Sequence, residues 1–143
     1  AASEVVFGLP KDRARSIDVE GILSSLGLRD VSGRHPATLS GGQKQRLAVA
    51  SCVAAGKDVL VFDEPTSGLD LESMRRVASL IRRLADEGRV VLVVTHDLEF
   101  IACACDRAVE LSEGVVAGSY DVAGGVGAIR RALFVDSQCD DWT

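Results

Sequence analysis

Asp63 and Glu64 stand side by side at the end of the apolar run Val59-Leu60-Val61-Phe62, and Pro65 follows them directly. Adjacent carboxylates where a strand stops can divide two tasks. One can hold a hard cation such as Mg²⁺, which prefers oxygen ligands and keeps several of its waters. The other can polarise a water molecule as a general base. The rim of an open α/β sheet, outside the carboxyl ends of its strands, is also where ligands bind. The plain alternative is that Asp-Glu-Pro simply terminates the strand. A second apolar run, Val90 to Thr95, ends in His96. Taken alone, a histidine there is better explained by structure or exposure than by chemistry.

Ser40-Gly41-Gly42-Gln43 is the third candidate. Ser with Gln three residues on is a capping box, which any helix can use. The glycines ask for more, because each costs about 1 kcal/mol relative to Ala within a helix. Two in succession fit a backbone that something approaches closely. An anion suits that place, since free N–H groups and the positive end of the helix dipole converge there. His35, ahead of Pro36 in a loop, reads as structural.

These residues need elements to hold them. Residues Ala1 to Leu9 read as an extended or turn-like lead-in ended by Pro10, with the charged stretch Lys11 to Arg15 after it. Val19, Ile22, Leu23 and Leu26 share one side of a helix predicted over Ile17–Leu26, which Gly27 stops. Arg29 to Thr38 reads as loop, and helix resumes from Ser40 to Ala55. The unbroken apolar run at Val59 predicts a strand buried on both faces. Leu71–Glu87 carries Met74, Val77, Ala78, Ile81, Leu84 and Ala85 on one face and Arg75, Arg76, Arg82 and Arg83 away from it. Asp70 can cap its start and Gly88 its end. The strand Val90–Thr95 leads through Asp97, a second candidate cap, to a helix over Leu98–Ala104. A third strand covers Arg107–Leu111, and a hairpin-like pair turns at Glu113-Gly114. Strand, helix, strand, helix, strand is the pattern of a parallel sheet. The Gly-rich stretch Val122–Gly127 reads as mobile, with a short helix expected over Ala128–Phe134.

The chain has 143 residues, 47% hydrophobic and only 4% aromatic, enough for one globular unit or a large piece of one. With 16 Lys and Arg against 21 Asp and Glu, its net charge of -5 argues against nucleic acid as a main partner. No apolar run approaches the roughly 20 residues that span a bilayer, so direct membrane insertion is not expected and any membrane link runs through a partner. Cys52, Cys103, Cys105 and Cys139 lack paired C-x-x-C spacing and read as reduced thiols of a cytosolic protein.

Leu39 to Arg46, LSGGQKQR, matches the signature motif of ATP-binding-cassette (ABC) ATPases residue for residue. In order after it come the Asp63-Glu64 pair, Pro65 to Asp70 (PTSGLD) and His96. The chain therefore resembles the C-terminal half of an ABC ATP-binding domain from about Ser3 to Gly118. The resemblance implies an α/β fold: a partial P-loop NTPase, RecA-like, with a parallel sheet and part of the helical subdomain but no P-loop strand. It divides the chain into a helical signature part (1–56), a core part (57–118) and a tail (119–143). It implies that Ser40, Gly41, Gly42 and Gln43 contact the γ-phosphate of ATP held by the opposite protomer. Asp63 becomes the Walker B aspartate, holding Mg²⁺ through water, and Glu64 the catalytic glutamate. Asp70 closes the D-loop, which crosses the dimer interface, and His96 is the switch histidine that bonds the γ-phosphate. ATP and Mg²⁺ are the implied cofactors. A second cassette, identical or not, and a transmembrane transporter subunit are the implied partners, at the cytoplasmic face of the cell membrane.

One part of the family pattern is missing. No G-x-x-x-x-G-K-[ST] occurs, since neither Gly41-Gly42 nor Gly124-Gly125-Gly127 is followed by the required residues. The family's phosphate cradle, its adenine-stacking aromatic and its Q-loop would lie ahead of Ala1, and Glu4 to Leu9 (EVVFGL) resembles the segment just after the Q-loop of prokaryotic importers. Loss of the P-loop strand should leave an unpaired edge and exposed apolar surface. Ser67-Gly68 and Gln43 resemble the transporter branch rather than translation-linked or chromosome-maintenance relatives. The run from Ser67 through Met74-Arg75-Arg76-Val77 to Cys105-Asp106-Arg107 is most similar to energy-coupling-factor ATPases, which power vitamin and metal-ion uptake. Two readings follow: a transport ATPase in complete form, inactive as this chain alone, or a degenerate module that lends a signature face to a complete partner without hydrolysing ATP.

Overall fold

The computed structural model describes residues 1–122 and residue 127. They fall into two compact units, divided between Thr95 and His96. The helix expected over Ala128–Phe134, most of the Gly-rich stretch before it, and Cys139 lie outside the described residues.

In the first unit the lead-in is not extended. Ala2–Val5 forms a single helical turn, α1, which puts Ala1 and Val5 on the same side, and both are buried. α2 (Lys11–Ser16) is the charged stretch, and α3 (Val19–Ser25) is capped by Asp18, whose carboxylate accepts from the Gly21 N–H at 2.8 Å. α3 ends where predicted. Gly27 takes φ 65°, and the Leu28 N–H returns to the Leu23 carbonyl at 2.8 Å, a closure that a residue with a Cβ disfavours. The expected loop holds two short 3₁₀ turns, Arg29–Val31 and Pro36–Thr38. His35 Nδ1 accepts from the Ala37 N–H at 3.2 Å, in keeping with its structural reading.

α4 (Gly41–Ala54) is the central helix. α1 and α3 pack on it, and it also meets β1 and α5. Leu47, Val49, Ala50, Val53 and Ala54 are therefore buried on more than one side, without the single stripe of a surface helix. α5 (Leu71–Asp86) has that stripe, burying Met74, Val77, Ala78, Leu80, Ile81 and Leu84 while its arginines stay exposed.

β1 (Val59–Asp63) and β2 (Val90–Val94) pair in parallel, Val59 with Val90 through Asp63 with Val94, and α5 is the crossover between them. Burial on both faces was expected, yet only one face is covered. Leu60 and Phe62 are buried, while Val59, Val61, Val90, Leu92 and Val94 are each more than half exposed. In the parallel register these five share one face with Asp63, and among the described residues β2 pairs with β1 alone.

The second unit starts at His96. Asp97 caps α6 (Leu98–Ala104), accepting from the Glu99 and Phe100 N–H groups at 3.0 Å each. The third predicted strand exists as β3 (Arg107–Ser112) but does not extend the parallel sheet. It pairs antiparallel with β4 (Val115–Asp121) in a sheet of its own. Glu113 (φ 49°) and Gly114 (φ 82°) both adopt the left-handed backbone of a tight two-residue turn, which delivers an adjacent partner strand directly. Among the described residues no helix is long and apolar enough to cross a membrane.

Candidate functional site

Ser40 and Gln43 form the capping box in full. The Gln43 N–H donates to Ser40 Oγ at 3.3 Å, and Gln43 Oε1 accepts from the Ser40 N–H at 2.9 Å. The box leaves the Ser40 hydroxyl proton and the Gln43 amide NH₂ free of capping duty. Ser40 and Gly41 are exposed, and a Cβ at Gly41 would meet nothing within 4 Å. Gly42 differs. A Cβ there would come within 3.1 Å of Leu69 Cδ2, so packing against the Pro65–Asp70 segment is one reason for glycine at this position. The first turn of a 14-residue helix with an open backbone has the donors and dipole that fit a phosphate.

Glu64 follows β1 with φ 46°, a left-handed backbone that non-glycine residues seldom adopt. Hydrogen bonds on both its backbone and its side chain hold it. Its N–H donates to the Val94 carbonyl at 2.8 Å, its own carbonyl accepts from the Ser67 N–H at 3.2 Å and from Gln45 Nε2 at 2.9 Å, and its Oε2 accepts from Thr95 Oγ1 at 3.4 Å. The half-buried carboxylate thus leaves the sheet at the carboxyl end of both parallel strands. Asp63, beside it, is exposed on the uncovered face. Among the described residues no three His, Cys, Asp or Glu side chains gather as a metal cluster. The adjacent Asp63 and Glu64 carboxylates offer the kind of oxygen donors that suit a Mg²⁺ held by one or two carboxylates, water and nucleotide phosphates.

Asp70 caps α5, accepting from the Ser73 N–H at 2.7 Å. That N–H, the Ser73 hydroxyl and the Arg46 guanidinium hold its carboxyl below the usual aspartate range. Arg46 also reaches Ser73 directly through Nη1, so the signature helix touches the start of α5. His96, exposed, follows Thr95 in the chain and opens the second unit. Cys52, Cys103 and Cys105 form no disulfide among the described residues, and burial pushes the Cys52 thiol up.

Residues 3–67 match the ABC transporter family. A putative ABC transporter ATP-binding protein of Treponema denticola is 54% identical over 98 residues, which are 68% of this chain and 20% of that protein. The chain is part of an ABC transporter ATP-binding domain. The L-cystine transport system ATP-binding protein TcyN of Escherichia coli is 41% identical over 134 residues, 94% of this chain and 50% of that one. The methionine import ATP-binding protein MetN of Symbiobacterium thermophilum is 39% identical over 136 residues, 92% of this chain and 41% of that one. The chain thus spans half or less of each of these relatives. An ATP-binding cassette of an ABC transporter superposes with a TM-score of 0.66 at 21% identity, over 87% of this chain and 48% of that one, which establishes the partial P-loop NTPase fold. The archaeal ribosome recycling factor aABCE1, solved with a ribosomal stalk protein, superposes with a TM-score of 0.73 at 31% identity, over 91% of this chain and 25% of that one. The fold therefore recurs in proteins of different assemblies.

Gln45, Thr95 and Arg46 were not singled out by the sequence for these contacts. Gln45 and Arg46 lie inside the quoted motif, and the available signal was a pair of polar residues on a helix otherwise buried on several sides.

Proposed function

We propose that the full-length protein is an ATP-hydrolysing subunit of a transporter that drives solute inward, working as one of two cassettes beside a transmembrane subunit. Glu64 carries the reading. Its carboxylate stands at the end of the parallel strands on a backbone pinned by Val94, Ser67 and Gln45, a costly arrangement for a residue that merely ended a strand. Mg²⁺ and ATP, when bound, supply an activated phosphoryl group and neutralise its charge. On the family resemblance, Asp63 would hold the metal through water, Glu64 would take up the proton of the attacking water, and His96 would donate to the terminal phosphate. Ser40, with the Gly41, Gly42 and Gln43 amides, presents donors to nucleotide on the opposite cassette, and Asp70 fixes the start of α5 beside that interface.

Relatives named for L-cystine transport and methionine import support inward movement of a small solute. The resemblance of Ser67 through Arg107 to energy-coupling-factor ATPases narrows the proposal to vitamin or metal-ion uptake. The Treponema denticola relative, of which 98 residues are only 20%, is long enough for two fused cassettes, as some of that class have. We further propose residues 1–56 as the signature part, 57–118 as the core part and 119–143 as a tail. Without a G-x-x-x-x-G-K-[ST] segment the 143-residue chain alone should not hydrolyse ATP.

The deciding variant is Glu64→Gln in the full-length protein. Removing a general base should lower steady-state turnover by about 100-fold or more with ATP binding retained. Turnover equal to the parent overturns the enzyme reading in favour of a cassette that only lends its signature face.

A further inference from the structure

The signature helix does more in this fold than present its first turn outward. Gln45, one turn into α4, extends its side chain to the Glu64 carbonyl at 2.9 Å. A carbonyl can only accept, so the Gln45 amide must turn its NH₂ toward it. The same carbonyl accepts from the Ser67 N–H at 3.2 Å, and the Glu64 N–H is held by the Val94 carbonyl at 2.8 Å. Both sides of a left-handed residue are therefore fixed, and Gln45 reaches its backbone with a side chain from another element. If that peptide rotated, the carboxylate would swing with it.

We propose that Gln45 is a positioning residue for Glu64. Resting on the functional reading above, this means that the helix whose first turn carries Ser40 to Gln43 also sets the direction of the carboxylate that acts on water. Gly42 against Leu69 and Arg46 on Ser73 hold α4 to the segment that follows Glu64, so a rigid helix can transmit its position through Gln45. In this role Gln45 acts through the Glu64 backbone rather than on the reacting groups. Its effect belongs in kcat, because a misplaced catalytic group costs rate even where substrate binding is intact.

The test uses the full-length protein and compares Gln45→Glu, which keeps the shape and removes the donor, with Gln45→Lys, which restores one. Gln45→Glu is expected to lower kcat by about tenfold, with the KM for ATP within about twofold and an unchanged melting temperature. Gln45→Lys should recover much of the loss. Gln45→Met, which also lacks a donor, replaces Gln45→Glu if that variant does not fold. If Glu64→Gln abolishes turnover while both donor-less variants keep kcat, the role of Gln45 is overturned and the functional reading stands. A matching fall in kcat, ATP affinity and melting temperature without rescue by Lys also overturns it. Turnover that survives Glu64→Gln overturns the functional reading itself.

Discussion

Glu64 concentrates the conflict between stability and chemistry in one residue. Followed by Pro65, it would ordinarily be extended, since the proline ring crowds a preceding helical backbone. Instead it has φ 46° and carries a Cβ where glycine would be at ease. Glu64→Gly should therefore raise the unfolding free energy by about 1 kcal/mol while removing the carboxylate. Denaturant unfolding of the variant measures this, and a loss of stability would show that the side chain supports the fold more than its backbone strains it. The residue type and position were legible as chemistry. Its backbone was not, because the hydrogen bonds from Gln45 and to Val94 come from positions 19 and 30 residues distant in the chain.

At the scale of elements, local chemistry was the most readable. Ser40, Asp70 and Asp97 each cap the helix they precede, as a side-chain acceptor ahead of an apolar-periodic run predicts. The Asp70 cap is pH-sensitive with a definite sign. The Ser73 N–H and hydroxyl and Arg46 depress its folded pKa below the unfolded value. Its stabilising contribution is thus complete above the unfolded aspartate pKa of about 3.9 and fades as pH falls through the lower folded value. Asp70→Asn keeps an acceptor but loses the charge, so its stability should fall less than the parent's between pH 5 and the acid limb. Parallel urea titrations across that range would test it, and equal slopes would remove Asp70 from the acid response. Less readable were α1, which forms because Val5 has a buried place to go, and β3, whose neighbour was decided by the turn at Glu113-Gly114.

For the molecule as a whole, the uncovered face of the β1–β2 pair is the dominant fact. Val59, Val61, Val90, Leu92 and Val94 form a contiguous apolar surface on a two-stranded parallel sheet, an arrangement too small to be stable by itself. The 143-residue chain in solution should bind a hydrophobic fluorescent dye or self-associate. Leu92→Lys, exposed and central on that face, should reduce both signals with the melting temperature little changed. A monodisperse parent that leaves the dye dark would contradict this.

The sequence alone determined what depends on neighbours a few residues away. It set the helix caps, the amphipathic face of α5, the hairpin turn, and the order of motifs that places the chain among ABC ATP-binding domains. The tertiary structure decided what depends on distant partners: which strands pair, which face of an apolar strand is covered, and how Glu64 is held. An alternating or continuous apolar run reports that a strand wants cover, but only packing determines whether cover arrives. Here α4 meets β1 and α5 meets β2, while the valines and Leu92 of the other face stay exposed. Likewise a motif names Gln45 and Glu64 separately, while the bond between them exists only because α4 packs against β1.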